Sequence, residues 1–195
     1  MDLYKTQKKV SKRLPKKRFN HTLGVQTTSF SLAILYGEDY NKAIYAGLFH
    51  DLAKYISNKK SLKECKKYKL PISKIEKKNP HLLHGKLGAY YTKTEFGIKD
   101  KDILNAITYH TTGRPNMSLL EKIVFVADYI EPNRSEKNNP SLSSIRQLAF
   151  RDIDKAVFEI LKATLNYLDS GNNGDSKKKI DSMSIKAYNY YKIQE

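Results

Sequence analysis

Apolar residues recur at helical spacing along nearly the whole chain, and nowhere do they alternate as strand residues would. The clearest case is 145–168, where Ile145, Leu148, Ala149, Ile153, Ala156, Val157, Ile160, Leu161, Leu165 and Leu168 fall on one stripe and predict a single long amphipathic helix. The stretch "HTLGVQTTSFSLAILYG" predicts a helix stopped at Gly37, and residues 41–54 a second one turning Ala43, Ile44, Gly47, Leu48 and Phe49 toward a core. Ser61 with Glu64, Ser73 with Glu76 and Ser118 with Glu121 have capping-box spacing and mark three helix starts. "GNNGDSKKK", 171–179, predicts a loop, and "SIKAYNYYKI" a short terminal helix packing its tyrosines. No internal repeat or low-complexity linker divides the chain, so the expected architecture is all-α, one helical bundle over residues 1–195.

Ionisable groups interrupt this apolar pattern. "LFHDLAKYI", 48–56, sets His50 and Asp51 side by side among core residues, with Lys54 three positions on. His21 lies in the helix after "KKRFN", His110 ends "ILNAITYH", and Asp128 interrupts "IVFVADYI". A His–Asp pair alone is explained as well by a satisfied buried pair. A buried carboxylate without a cation or strong donors is costly, however, and here several helices each aim such a group inward. Imidazole and carboxylate together suit zinc, iron, manganese and similar divalent ions, and ligands on different helices can converge in a bundle core. His21, His50, Asp51, His84, His110 and Asp128 exceed one tetrahedral site. They would suit one six-coordinate ion or two ions bridged by a carboxylate, the arrangement that clamps attacking and leaving oxygens in phosphoester chemistry. The only cysteine, Cys65, excludes an intrachain disulfide and a cysteine zinc site.

Lys and Arg total 36 against 20 Asp and Glu, a net charge of +16 that favours a polyanion: nucleic acid, a nucleotide polyphosphate or an anionic membrane surface. The basic N-terminal stretch has no apolar core of signal-peptide length, and no apolar run approaches the roughly 18 residues of a membrane span. A cytoplasmic protein with no membrane contact is expected.

In order, an "R..H" helix, "HDLAK", "HG..GA", "YH" and "AD" in an apolar helix resemble the HD-domain metal-dependent phosphohydrolases, an all-α fold. "KRFNHTLGV", "GLFHDLAK", "LLHGKLGA", "YHTTGRPNMS" and "KIVFVADYIEPNR" look like the YqeK-type branch of symmetrical diadenosine tetraphosphate hydrolases with iron at the site. The likeness spans about 17–168 and leaves 180–195 as an extension packed on that core. It implies a divalent metal, iron by preference, as one or two ions. His21, His50, Asp51 and Asp128 become metal ligands, and His84 and His110 ligands of a second metal or of phosphate. Asp51, Lys54, His84 and His110 would carry catalysis. The substrate would meet these four and also Arg18, His21, Thr111, Thr112, Asp128 and Arg134. Lys54, four residues beyond His50, is expected on the same helical face. Arg18 also reads as plain surface charge, and His81 as a surface histidine. In the C-terminal segment the family pattern keeps Ile180, Ala187 and Asn189, with Asn189 as a nucleotide contact, but Asp181 and Tyr188 stand where His and Arg belong. The expected partners are a nucleotide polyphosphate and, left open, a second copy of the chain; nucleic acid is disfavoured, although the charge permits it. Two rivals stay open: another HD-domain phosphohydrolase, acting on deoxynucleotides, guanosine tetraphosphate or an RNA end, and a non-enzymatic RNA-binding protein.

Overall fold

Short polar side chains set most helix starts in this chain. Asp2, Asp39, Ser57, Ser73, Asp100, Ser118 and Asp181 each accept from a backbone N–H of the first turn, which removes an otherwise unpaired donor. The computed structural model describes residues 2–169 and 180–193, so the loop expected at 171–179 lies outside the described residues. Among the described residues there is no strand. The helices are α1 (Leu3–Ser11), α2 (Lys16–Tyr36), α3 (Tyr40–Phe49), α4 (Asn58–Lys67), α5 (Lys74–Lys78), α6 (His84–Glu95), α7 (Lys101–Tyr109), α8 (Leu119–Ile130), α9 (Leu142–Ala149), α10 (Ile153–Asp169) and α11 (Ser182–Lys192). A 3-10 turn, Pro80–Leu83, leads into α6.

The all-α expectation holds, and α2 ends as predicted on a left-handed Gly37 at φ 73°. Three local expectations do not. The helix expected over 41–54 stops at Phe49, because residues 50–56 continue as tight turns with bonds from Leu52 N to Phe49 O and from Lys54 N to Asp51 O. The stripe over 145–168 is two helices. Asp152 accepts from Lys155 N at 3.0 Å, and a short acidic side chain gains more as a cap than inside a helix. Of the three capping boxes, Ser73–Glu76 and Ser118–Glu121 form both reciprocal bonds. The third does not form: α4 starts earlier on Ser57, Ser61 is buried inside it, and Glu64 instead takes the Tyr91 hydroxyl.

Helices α2, α3, α7 and α8 pack around one core, with α6 laid against α7 and α11 against α10. Leu32, Phe49, Ile107, Leu120 and Ile123 are fully buried there, each contributing about 1.5–3 kcal/mol of apolar burial. On α11, Tyr188 stacks on Phe158 and the Tyr191 hydroxyl accepts from Met117 N, so the terminal tyrosines pack as predicted. No described helix is long and apolar enough to cross a membrane.

Candidate metal centre

The last carbonyls of a helix have no partner in their own helix, and two histidines use this. His50, just past α3, donates Nδ1–H to Gly47 O at 2.7 Å, and His110, just past α7, donates to Ile107 O at 2.7 Å. His84, at the start of α6, donates in the same way to His81 O of the 3-10 turn. A carbonyl can only accept, so in each neutral ring the proton sits on Nδ1 and Nε2 is a bare lone pair. His21, inside α2, directs Nδ1 to the Glu131 carboxylate at 3.0 Å, which leaves its Nε2 bare too.

These four lone pairs converge on Asp51, whose side chain is 2% exposed. The two carboxylate oxygens face different histidines. Oδ2 lies 3.3 Å from His50 Nε2 and 3.9 Å from His21 Nε2, while Oδ1 lies 3.3 Å from His84 Nε2 and 3.8 Å from His110 Nε2. His21 Nε2 also lies 3.1 Å from Asp128 Oδ1. Three overlapping groups have metal-ligand spacing: His21, His50 and Asp51; His50, His110 and Asp128; Asp51, His84 and His110.

The fit to a cation is tested by what these atoms lack. His21 Nε2, His50 Nε2 and Asp51 Oδ1 are buried and make no hydrogen bond, although polar atoms lie close by. His84 Nε2 and His110 Nε2 stand 3.0 Å apart with no proton between them if both rings are neutral. Lone pairs crowded in this way repel one another and attract a Lewis acid, so the residues fit a divalent ion.

The electrostatics agree. Burial by itself would raise the Asp51 pKa, but His50 first and then His110 and His84 outweigh it and hold the carboxyl well below the usual range. Burial acts likewise on Asp128, where His21, then His50 and Arg134, again win and keep the group ionised. Burial pushes His84 down to about 4, so its ring is neutral near pH 7.

Two close approaches build the cluster. A Cβ on Gly85 would meet Thr108 O at 2.6 Å, so this glycine lets α6 lie against α7 and brings His84 to His110. The turn after α3 lets His50 and its neighbour Asp51 both face inward, which a continuous helix would splay by about 100°. It also moves Lys54 off the helical face on which it was expected, yet the ammonium still reaches the cluster, 3.2 Å from His84 Nε2.

The remaining predicted residues divide. Arg18 is no detached surface charge, since its Nη1 lies 3.0 Å from Asp51 Oδ2. Arg134 donates to Asp128 Oδ1 at 2.6 Å. Thr111 Oγ1 sits 3.2 Å from His84 Nε2 and 3.1 Å from His110 Nε2, whereas Thr112 spends its hydroxyl on Gly113 O. Asn189 is on the exposed face of α11 and outside the cavity walls, and His81 is exposed. Sequence reading missed Glu131 and Asn133. The signal was an acidic residue closing an apolar helix just before Pro132, in the "EPNR" stretch singled out for its arginine.

A cavity of about 810 Å³ opens beside His21, walled by Lys17, Arg18, Tyr55, Tyr129, Asn133, Arg134 and Tyr167 among others. A smaller one of about 200 Å³ reaches His110, Thr111 and Asp128, and shares Tyr129, Arg134, Asn139 and Thr164 with the first. The cluster thus meets two adjoining spaces, the larger of which has a basic rim.

Residues 18–133 match the family model described as HD domain. The chain is 45% identical over 159 residues to a symmetrical bis(5'-nucleosyl)-tetraphosphatase of Halalkalibacterium halodurans, covering 82% of this chain and 83% of that one. A Staphylococcus aureus protein of the same name is 36% identical over 192 residues, covering 97% and 96%. A Clostridium acetobutylicum crystal structure, described as a predicted HD superfamily hydrolase involved in NAD metabolism, superposes with a TM-score of 0.91 at 37% identity, covering 100% of this chain and 99% of that one.

Proposed function

The chain belongs to the HD-domain family, and from its likeness to proteins named symmetrical bis(5'-nucleosyl)-tetraphosphatase we propose that it cuts diadenosine tetraphosphate symmetrically into two ADP. It is a metal-dependent hydrolase of acid anhydrides. The observation that carries the metal requirement is the set of four bare Nε2 atoms around Asp51, where His21 Nε2, His50 Nε2 and Asp51 Oδ1 are buried without a hydrogen-bond partner. We assign the ion to His21, His50, Asp51 and Asp128, with His84 and His110 serving a second ion or a phosphate. The two oxygens of Asp51 face different histidines, His50 on Oδ2 and His84 on Oδ1, and such a set would hold one or two ions. Iron is the proposed element because the resemblance to the YqeK-type branch implies it; an imidazole and carboxylate site is compatible with iron, as it is with zinc or manganese. A divalent ion held there supplies Lewis-acid polarisation of phosphate oxygens and a water acidic enough to attack near neutral pH.

The chain's own residues do the rest. Arg18 and Arg134 line the cavity where a polyphosphate would enter and Lys54 stands 3.2 Å from His84 Nε2, and their cationic groups bind its oxygens and offset charge on the leaving diphosphate. Thr111 offers a hydroxyl beside His84 and His110. Water adds to the second phosphorus from one nucleoside, the bond to the bridging oxygen breaks, and that oxygen leaves with the other ADP. The net charge of +16 draws in the anionic substrate and is screened by salt. We read the whole chain as one domain, and a nucleotide substrate favours the cytoplasm.

The test is hydrolysis of diadenosine tetraphosphate in heavy-oxygen water. ADP should be the only product, with label on one ADP per turnover. AMP and ATP among the initial products would refute symmetrical cleavage. No turnover of any dinucleoside polyphosphate would point to another HD-domain substrate.

A further inference from the structure

Three of the four clustered histidines fix their ring proton on a carbonyl three residues earlier, but His21 cannot. It lies inside α2, where the carbonyls behind it belong to the helix's own hydrogen-bond ladder. Its Nδ1 is held instead by Glu131 Oε1 at 3.0 Å, from a residue 110 positions away that is 1% exposed. Glu131 is held in turn, since its Oε2 accepts from Asn133 N at 2.8 Å and from Asn133 Nδ2 at 2.9 Å. The slot for that oxygen exists because residue 24 is glycine: a Cβ there would lie 2.2 Å from Glu131 Oε2.

We propose that Glu131 is a positioning residue that locks His21 in the Nδ1–H tautomer, and so sets how tightly the cluster holds a divalent cation. The proposal rests on the metal reading above. His21 Nδ1–H and two Asn133 donors meet two carboxylate oxygens, and both oxygens are needed as acceptors. An amide has one acceptor oxygen. In Glu131→Gln that oxygen satisfies Asn133, where two donors wait, and the amide N–H₂ then faces His21 Nδ1. The ring proton must move to Nε2, the atom that would bind the ion. The opposite amide orientation sets its N–H₂ against both Asn133 donors, which is worse by one contact.

The test uses the full chain stripped of metal. Calorimetric titration with Co²⁺ reads affinity, and nitrogen NMR of the imidazole of His21 reads which ring nitrogen carries the proton. Glu131→Gln should weaken Co²⁺ binding by about 10–100-fold, the usual effect of losing the partner behind a ligating histidine, and should move the His21 proton from Nδ1 to Nε2. Gly24→Ala is the second variant. Alanine suits a helix interior better than glycine, so the fold should survive while its methyl group displaces the Glu131 carboxylate and weakens Co²⁺ binding. Wild-type affinity in both variants would overturn the proposal. So would weakened binding in Glu131→Gln with the His21 tautomer unchanged, because the loss would then come from general loosening. Wild-type protein that binds no Co²⁺ would remove the metal reading itself, a failure separate from the other two.

Discussion

Gly85→Ala separates activity from stability in this fold. The added Cβ would lie 2.6 Å from Thr108 O and 3.1 Å from Ile107 O, and both are backbone atoms of α7 that cannot swing aside. Ordinary contact begins near 3.4 Å, so α6 must retreat from α7 by about 3.4 − 2.6 = 0.8 Å, an overpacking strain of about 1–3 kcal/mol. Alanine returns about 1 kcal/mol of helix propensity, so the net loss is only about 0–2 kcal/mol. At about 2–4 °C per kcal/mol for a chain of this size, the melting temperature should fall by a few degrees. The site is less forgiving. His84 rides on α6 next to Gly85, and His110 closes α7, with their Nε2 atoms 3.0 Å apart. Misplacing reacting groups by nearly 1 Å costs up to about 10²-fold, so kcat/KM for diadenosine tetraphosphate should fall about 10–100-fold. Gly88→Ala is the control, because its Cβ would touch only the Ile107 Cγ2 methyl closely, at 3.3 Å. A Gly85→Ala enzyme with wild-type turnover would refute the claim that α6–α7 contact sets the cluster geometry.

Other outcomes follow from the same geometry. Asp51→Ala should lose metal, read by elemental analysis, and turnover together, while His81→Ala leaves both near wild type; a metal-replete, active Asp51→Ala protein would sink the assignment. Lys54→Met should keep its metal while kcat/KM falls by about 1–3 kcal/mol, nearer the lower end because the side chain is 31% exposed and screened by solvent. Loss of metal there would mean that Lys54 supports the ligands rather than the phosphate. His84 is pushed from 6.5 to about 4 in the fold, so between these values the unfolded chain binds a proton that the folded chain refuses. Stability of the metal-free protein must therefore fall as pH drops through that window, and Asp51 and Asp128, held well below their usual range, lose their contribution at still lower pH. Urea unfolding at several pH values checks the sign, His84→Gln should flatten the slope, and a rise in stability toward pH 4 would contradict it.

Short-range energetics were legible in the sequence. Helical period, the stop at Gly37 and two of three capping boxes depend on residues within one turn of each other, and all appear in the fold. The ligand-type residues stood out for the same reason, as charged groups among apolar neighbours. The breaks at Phe49 and near Asp152 were missed because an apolar stripe continues across them, although a side chain near each break competes for backbone bonds. What the tertiary structure alone decided is which groups share a partner. Arg18, one basic residue among 36, becomes distinctive only because α2 carries it to Asp51. Glu131 reads as an ordinary acid at a helix end until the packing of α2 and α8 places it behind His21, where Gly24 leaves room for it. A hydrogen bond spanning 110 residues leaves no periodic trace, because its energy depends on where two distant segments meet and not on the sequence around either.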